Sequence, residues 1–270
     1  MNSLTTAIIV SYTSGWIIKK CINSIEKKTS ILVVDNYNDY KLKSNLENCY
    51  KNVKVIINNK NNGFGYAANL GAFQSKSKYL LFLGPDTKLE KKAISKLNQI
   101  AKKLNNNFAV LLPSENKLNV QNISLLKKPR GAAVMFINKK KFLKLKGFDE
   151  NFFLYYEDVD LINRFLKNKD KIYVTPIQFK HSHGSHNKKH NVAIELNRNW
   201  HYLWSGFYFY KKNTNYLFAA TYMLPILFRM GLRSFFHYFF NKKKFLIYKY
   251  RFFGLLNAYI NKKSWYRPKI

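Results

Sequence analysis

Residues 6–36 have the sequence TAIIVSYTSGWIIKKCINSIEKKTSILVVDN. Two short β-branched runs, Ala7–Val10 and Ile31–Val34, are separated by a segment long enough for a helix. This alternation predicts two parallel strands joined by a helical crossover. The carboxyl ends of such strands meet at one edge of the sheet, and ligands bind beyond that edge. We therefore expect a ligand site where Ser11 and Asp35 follow their strands.

The alternation of strands and helices continues along the chain. Further strands are predicted at Val53–Ile57, Tyr79–Leu83 and Phe108–Leu112, and the clearest helices at Tyr66–Ser75 and Glu90–Leu104. The pattern predicts an α/β fold with a mostly parallel sheet covered by helices on both faces. The chain has neither a glycine-rich dinucleotide motif nor a phosphate-binding loop, which argues against a dinucleotide-binding or nucleoside triphosphatase domain.

The pattern changes after Pro113. We predict a strand at Ala132–Ile137, a short helix at Lys139–Leu145, a helix that begins near Glu157, and strands at Ile172–Thr175 and Phe179–His183. Helices are expected from about residue 191 onward. The sequence therefore predicts one domain over residues 1–190 and a helical region over residues 191–270.

Six short motifs follow these elements in order. They are Val10-Ser11-Tyr12-Thr13-Ser14, Val33-Val34-Asp35-Asn36, residues 62–71 (NGFGYAANLG), Leu83-Gly84-Pro85-Asp86-Thr87, Gly147-Phe148-Asp149-Glu150 and residues 156–161 (YEDVDL). Together they resemble the inverting family 2 glycosyltransferases of the GT-A fold, especially the rhamnosyltransferase-like branch, over roughly Thr6 to Ser185. The resemblance implies a Rossmann-like GT-A domain that transfers a sugar from a nucleotide donor to a hydroxyl group.

The resemblance implies roles for three aspartates. Asp86 would hold a divalent cation, Mg²⁺ or Mn²⁺, on the donor diphosphate, whereas the alternative is a turn that caps the next helix. Asp35 would accept a hydrogen bond from the pyrimidine ring of the nucleotide, and the alternative is an Asx turn. Asp158 would be the general base, supported by Glu157, although a helix dipole alone also favours acids at that position.

Further site residues are implied by the same resemblance. His181, which strand alternation aims to the same side as His183, would contact the metal or the diphosphate. The implied donor-nucleotide contacts are Ser11, Tyr12, Asn62, Gly63 and Asn69. The implied acceptor-side contacts are Arg130, Gly131, Tyr156 and His183. Departures from the family pattern at Gly65, Ala68, Gly84 and Lys146 concern the donor edge, the acceptor edge and the metal affinity.

Charge is unevenly distributed along the chain. Its 270 residues include 47 Lys or Arg and 14 Asp or Glu, for a net charge of +33, and 47% of them are hydrophobic, which argues against disorder. The last acid is Glu195, and residues 196–270 contain 14 basic and 24 aromatic residues. A genome biased toward Lys and Asn raises the charge everywhere, but it does not explain why the acids stop at Glu195. The charge therefore predicts an anionic partner.

The basic, aromatic tail predicts contact with a membrane surface. Aromatic rings favour the headgroup layer and basic residues favour anionic lipid. Because acceptors in the resembled branch are often lipid-linked saccharides, we expect a cytoplasmic enzyme at the inner face of the cell membrane. The alternative is a tail whose helices pack on the catalytic domain or form a dimer, with the aromatic residues inside.

Two other functions are compatible with the composition. Basic charge with interleaved aromatic residues suits a protein that binds single-stranded nucleic acid, but acids gather where the phosphate backbone would be repelled, and we expect no nucleic-acid partner. A degenerate glycosyltransferase fold that acts as a scaffold is the second alternative.

The cysteines and apolar runs predict the cellular setting. Cys21 and Cys49 are too few for a disulfide framework or a zinc cluster and suit a reduced cytosol. No basic leader precedes the first apolar run, so no secretory signal is expected. The longest uncharged apolar segment, Tyr216–Phe228, contains Pro225 and is shorter than the roughly 20 residues that span a bilayer, so no transmembrane helix is expected.

Overall fold

A computed structural model describes residues 3–115, 120–182 and 191–267. The strands are β1 (Thr5–Ser11), β2 (Ser30–Asp35), β3 (Val53–Ile57), β4 (Tyr79–Leu83), β5 (Thr87–Leu89), β6 (Val110–Glu115), β7 (Ser124–Leu125), β8 (Val134–Asn138) and β9 (Ile172–His181). The helices are α1 (Gly15–Asn23), α2 (Tyr40–Cys49), α3 (Phe64–Gln74), α4 (Ala93–Lys103), α5 (Lys139–Lys144), α6 (Glu157–Lys167), α7 (Asn191–Asn213), α8 (Tyr216–Phe240) and α9 (Lys242–Tyr259). The predicted α/β class with a C-terminal helical region is confirmed.

The strands form one sheet in the order β3-β2-β1-β4-β8-β6-β9-β5, with β7 paired to β9. The first four strands in this order are parallel, as expected. Strand β8 is antiparallel to both of its neighbours, and β6 is parallel to β9. The parallel arrangement therefore holds on the side of the sheet that carries the predicted ligand edge, and the other side is mixed.

Both faces of the sheet are buried. Ala7 and Ile9 of β1 belong to one apolar cluster, and Ile8 belongs to the cluster on the opposite face. Because successive side chains on a strand alternate between faces, a continuous apolar run such as Ala7–Val10 is required when helices cover both sides. This explains why the strands of the parallel half lack the apolar-polar alternation of a half-exposed sheet.

Three features of the sheet differ from the prediction. The predicted strands at Ile172–Thr175 and Phe179–His183 are one strand, β9, which ends at His181; residue 183 lies outside the described residues. Pro176 suggests a break, but the register shift between Leu112 and Ser114 of β6 absorbs it as an irregularity within the strand. Strands β5 and β7 are three and two residues long, too short to produce a periodic signal.

The chain divides into two compact units, Met1–Asp149 with Asp158–Asn187, and Glu150–Glu157 with Lys188–Ile270. The first contains the sheet. In the second, α7, α8 and α9 pack around a cluster that includes Trp200, Phe207 and Leu255. Within the described part of the chain, none of the helices combines the length and the apolar character that crossing a membrane requires.

Candidate active site

The carboxyl ends of β1, β2 and β4 bring three motifs to one edge of the sheet. Ser11 is the register partner of Asp35 across β1 and β2, and Ile9 is the partner of Leu83 across β1 and β4. Parallel pairing therefore places the segment after Ser11 between Asp35 and the loop that carries Asp86. Three stretches that are distant in sequence lie at the edge where ligands bind in sheets of this type.

Asp35 ends β2 at this edge with its side chain buried. Its side chain is fully buried, and its Oδ2 accepts hydrogen bonds from the backbone N–H of Tyr37 at 3.2 Å and of Asp39 at 2.9 Å. Within the described residues, neither Asp35 Oδ1 nor Ser11 Oγ has a hydrogen-bond partner of good geometry. Burial raises the pKa of Asp35, and the two backbone donors and the nearby Ser11 hydroxyl offset part of the rise.

A buried polar atom without a hydrogen-bond partner is energetically costly. Leaving a carboxylate oxygen without a donor in a buried position costs about 1–3 kcal/mol or more, and proteins keep such groups mainly where a ligand completes the pairing. The Asx-turn alternative explains only Oδ2, because the two turn contacts with Tyr37 and Asp39 use that oxygen. The two turn contacts therefore leave Asp35 Oδ1 unused.

Two segments form the walls beside Asp35. Asn36 donates from Nδ2 to the carbonyl of Gly63 at 3.2 Å, and Asn58 donates to Asn36 Oδ1 at 2.7 Å, which ties the end of β2 to the segment before α3. Tyr12 and Tyr37 are in edge-to-face contact, with ring centroids 5.7 Å apart. Burial raises the pKa of Tyr12 to about 12, and its phenol O–H is a hydrogen-bond donor at neutral pH.

Asp86 is held between Gly84 and His181. Its Oδ2 lies 3.2 Å from His181 Nε2, and its backbone carbonyl accepts from the N–H of Ser182 at 3.1 Å. A Cβ added to Gly84 would lie 2.8 Å from Asp86 Oδ1, so the carboxylate occupies the space that a side chain at position 84 would take. The departure from the family pattern at Gly84 thus permits this position of the Asp86 side chain.

Asp158 reaches the same edge by way of β8. Val134 of β8 is the register partner of Leu83 of β4, so the segment before β8 lies beside the loop after β4. Asp158 Oδ2 accepts from the N–H of Ala132 at 2.6 Å, and its Oδ1 accepts from the N–H of Val159 at 2.8 Å. Burial raises the pKa of Asp158, whereas these backbone donors act in the opposite direction.

The segment that contacts Asp158 Oδ2 also contains Arg130 and Gly131. A Cβ on Gly131 would lie 3.3 Å from Asp158 Oδ2, so the backbone passes close to the carboxylate. The Nε of Arg130 is buried and has no hydrogen-bond partner among the described residues. A buried guanidinium nitrogen without a partner is a second group at this edge that an external acceptor would satisfy.

Asn69 holds the turn at Gly147 and Phe148. Its Nδ2 donates to the Phe148 carbonyl at 3.0 Å, and its Oδ1 accepts from the Phe148 N–H at 2.9 Å. Gly147 has φ of +71°, and a Cβ there would lie 2.4 Å from Asn69 Oδ1, so only glycine fits. The observed role of Asn69 is therefore to position this turn.

Sequence reasoning did not identify a buried ion pair that supports the same turn. Arg164 Nε lies 2.7 Å from Asp160 Oδ2, and Asp160 is fully buried. The other guanidinium nitrogens of Arg164 donate to the carbonyls of Leu145 and Gly147 at 2.8 and 2.7 Å. The i, i+4 spacing of Asp160 and Arg164 was the only signal in the sequence, and this spacing is common on exposed helices.

Glu157 and Tyr156 belong to the second compact unit. Glu157 is buried at the start of α6. Tyr155 and Tyr156 both have positive φ, at 69° and 67°, a conformation that is costly for aromatic residues and that persists mainly at functional sites. The Tyr156 ring packs against Phe209, with centroids 5.5 Å apart. His183 lies outside the described residues.

The residues at the edge fit a divalent cation that is shared with a ligand. Among the described residues, no group of three or more His, Cys, Asp or Glu is placed to hold a metal ion. Asp86 and His181 supply one carboxylate and one imidazole at a short separation, a donor pair that suits Mn²⁺ or Mg²⁺ when phosphate oxygens and water complete the coordination.

A cavity of about 260 Å³ lies elsewhere, within the second unit. Its walls include Phe153, Trp204, Phe207, Tyr208 and Arg267, and none of the predicted site residues lines it. Charged side chains line it as well, among them Glu150, Lys211 and Lys262.

The chain also matches a known protein family over more than half of its length. Residues 6–162, which include Ser11, Asp35, Asp86 and Asp158, match the family described as Glycosyl transferase family 2. The chain belongs to glycosyl transferase family 2. No curated protein matches the sequence.

A solved structure with a similar fold is described as "Crystal structure of GalNAc-T7 with UDP, GalNAc and Mn2+". The similarity has a TM-score of 0.56 and 16% sequence identity, and it covers 66% of this family 2 chain and 42% of that chain. At this identity the comparison establishes the fold. It confirms the GT-A-like architecture expected from the sequence.

Proposed function

We propose that this protein is an inverting glycosyltransferase that moves one hexose or deoxyhexose from a UDP- or dTDP-linked donor. The acceptor is a hydroxyl of a glycan or of a lipid-linked saccharide in bacterial surface polysaccharide synthesis. The observation that carries the proposal is the unpartnered Asp35 Oδ1, at the sheet edge that also receives Asp86 and Asp158, in a chain of glycosyl transferase family 2.

Asp35 would select the nucleotide base. Uracil and thymine each carry one ring N–H, which suits the unpartnered Asp35 Oδ1, whereas adenine has no ring N–H to donate. Ser11, which adjoins the Asp35 carboxylate, and Tyr12 would contact the nucleoside. Asn62 and Gly63, tied to the end of β2 through Asn36, would form the opposite wall. Asn69 would act indirectly, by positioning the Gly147–Phe148 turn.

Asp86 and His181 would bind the diphosphate end of the donor. Their carboxylate and imidazole would hold Mg²⁺ or Mn²⁺, which when bound neutralises the negative charge that develops on the departing diphosphate. The Asp86 side chain is positioned to bind the cation by its contact with His181 and by the absence of a side chain at Gly84. Water and phosphate oxygens supply the remaining ligands.

Asp158 would remove the proton from the acceptor hydroxyl as the hydroxyl oxygen attacks the anomeric carbon. The backbone donors from Ala132 and Val159 fix the carboxylate, and its raised pKa makes it a stronger base than an exposed aspartate. A positioned base contributes on the order of 10²–10⁴-fold to the rate. Glu157 would support it, and the acceptor-side residues would be Arg130, Gly131, Tyr156 and His183.

A panel of nucleotide sugars tests the proposal. Ligands that bind only the folded chain raise its melting temperature, so UDP- and dTDP-sugars with Mn²⁺ are expected to stabilise the protein and ADP-sugars are not. Asp86→Ala is expected to remove the Mn²⁺-dependent part of the stabilisation, and Asp158→Asn is expected to retain it. Equal stabilisation by adenine and pyrimidine nucleotide sugars, or none by either, contradicts the proposal.

Lipid-linked acceptors would place the enzyme at the cytoplasmic, inner face of the cell membrane. The acid-free, basic sequence after Glu195 suits an anionic surface there. The location is part of the proposal, and a specific surface on the second unit supports it.

A further inference from the structure

Helix α8 exposes an uncharged apolar stripe along its length. At about 100° per residue, six large side chains fall within an arc of roughly 80° on one side of the helix. They are Leu217, Leu224, Phe228, Leu232, Phe235 and Phe239, exposed by 43% to 71%. We call this set the α8 stripe. It extends over about 33 Å at 1.5 Å per residue.

The opposite side of α8 fixes the orientation of the stripe. Ala219, Met223 and Met230 are buried in the cluster that α8 forms with α7 and α9. His237 stacks on Tyr248 of α9, with ring centroids 5.4 Å apart. Because this buried side is anchored by packing along the helix, the exposure of the stripe is a property of the folded unit. A contiguous apolar surface of this kind marks an interaction site.

The end of α8 is exposed too broadly for a partner that covers one helix face. Phe235, Phe236, Tyr238, Phe239 and Phe240 have exposures of 58% to 71%. At about 100° per residue they span roughly 200° of the helix circumference, about twice the width of the stripe that an ordinary packed helix buries. A lipid interface that surrounds the end of the helix would cover all of these rings at once, whereas a groove on another protein would cover only one side of the helix.

The charges beside the stripe select the partner. Arg229 lies nearest to it among the basic residues of the same helix, whereas Arg233 packs over the Tyr248 ring of α9. Exposed Lys242, Lys243 and Lys244 follow directly at the start of α9, where Lys243 lies 3.3 Å from Glu195. Residues 196–270 contain no Asp or Glu. A second copy of this chain would bring like charges together across the stripe, which is unfavourable. An anionic lipid surface meets the same cations with opposite charge.

We propose that α8 lies in the plane of an anionic bilayer, with the α8 stripe buried at the boundary between headgroups and acyl chains. The aromatic end of the helix enters most deeply, and Lys242–Lys244 contact the lipid phosphates. An apolar face flanked by basic residues is the arrangement of helices that bind bilayer interfaces without crossing them. The inference rests on the proposed membrane location, not on the transfer chemistry.

Vesicle binding of the full chain tests the proposal. Sedimentation with vesicles of phosphatidylcholine and phosphatidylserine measures partitioning without donor or acceptor, so its failure is distinguishable from a failure of the transferase proposal. Combined Leu232→Ser, Phe235→Ser and Phe239→Ser substitutions are expected to weaken partitioning about a hundredfold, because three large apolar contacts are lost. Phe73→Ser, at a ring in α3 that is 59% exposed, is the matched control and is expected to change nothing.

Two further variants, one that removes positive charge and one that reports how deeply the helix enters the bilayer, keep the test valid if one variant is insoluble. Replacing Lys242, Lys243 and Lys244 with Gln is expected to weaken binding to the anionic vesicles about tenfold at low salt and to have little effect at high salt. Phe235→Trp is expected to add indole fluorescence that brominated lipid quenches. The proposal is overturned if the triple stripe variant binds vesicles as strongly as the wild type, or if the wild type does not bind vesicles. It is also overturned if the wild type is a dimer and the stripe substitutions make it a monomer.

Discussion

Replacing Asp35 with Asn is expected to change which pyrimidine the protein binds. The two backbone donors to Asp35 Oδ2, from Tyr37 and Asp39, can be kept by the amide oxygen of Asn. The amide NH₂ then occupies the position of the unpartnered Oδ1. A ring N–H of uracil would face a donor instead of an acceptor, whereas the unprotonated ring nitrogen of cytosine would face a suitable donor.

The magnitude follows from the hydrogen bond that is exchanged. A hydrogen bond to a charged group contributes about 1.5–3 kcal/mol, and the donor-to-donor contact adds to the loss. A total of about 3 kcal/mol corresponds to about a hundredfold weaker binding of UDP. The loss for CDP is expected to be much smaller, so the preference of the wild type for UDP over CDP decreases or reverses.

Calorimetric titration with UDP and CDP in the presence of Mn²⁺ measures both effects. Asp39→Asn is the matched control, because Asp39 Oδ1 accepts from the Leu42 N–H at the start of α2 and Asn caps helices equally well. It removes one negative charge nearby and is expected to leave UDP binding unchanged within about twofold. UDP binding by Asp35→Asn at wild-type strength refutes the assignment of Asp35 to the base.

The remaining predictions concern pH, catalysis and stability. Burial raises the pKa of Asp35, so its ionised form lowers the free energy of unfolding at neutral pH. Asp35→Asn is therefore expected to melt at a higher temperature than wild type at pH 7. Thermal scans should show the two melting temperatures converging below about pH 4, where both side chains are neutral. No difference at pH 7 contradicts this. Asp158→Asn is expected to lower transfer by about 10²–10⁴-fold in a product assay with UDP affinity retained, and the wild-type rate is expected to fall with decreasing pH above the ordinary range of aspartate, since burial raises the Asp158 pKa. Unchanged turnover removes Asp158 from the mechanism. Asn69→Ala leaves the buried N–H and carbonyl of Phe148 without these partners and is expected to destabilise the fold by about 2–4 kcal/mol in urea titration. A loss below about 0.5 kcal/mol shows that the turn does not depend on Asn69.

The sequence predicts the parallel half of the fold well, because its signals are local. Runs such as Ala7–Val10 and Ile31–Val34 are apolar on both faces, which distinguishes a covered parallel strand from a half-exposed one. The start of α6 at Glu157 was equally visible from periodicity. Strands β5 and β7 were not, because they are stabilised by pairing with β9, a contact between distant segments that no local window contains.

The candidate site was predicted as residue types and not as contacts. That Asp35 Oδ1 lacks an internal partner depends on where two backbone N–H groups point, and that Asp86 lies over Gly84 depends on a side-chain conformation. The role of Asn69 was also hidden, since its partner Phe148 is 79 residues away. The resemblance to a family implied the roles of these residues, and the structure adds their contacts and distances.

For the C-terminal tail, too, the sequence predicts the residue types but not their contacts. Its aromatic content predicted both alternatives, rings on a membrane and rings inside a packed unit. Trp200, Trp204 and Phe207 are buried between α7 and its neighbours, whereas the α8 stripe is exposed. Only packing separates these two sets, since both consist of large apolar residues in a basic, acid-free sequence.

A crystal structure of the full chain with UDP and Mn²⁺ tests most directly whether the edge of the sheet is a nucleotide-sugar site. The expected result is a uracil ring whose N–H lies within hydrogen-bond distance of Asp35 Oδ1, with the metal ion between Asp86 and the diphosphate and the sugar side open toward Asp158. A nucleotide bound away from Asp35, or no bound nucleotide at saturating concentration, contradicts the account.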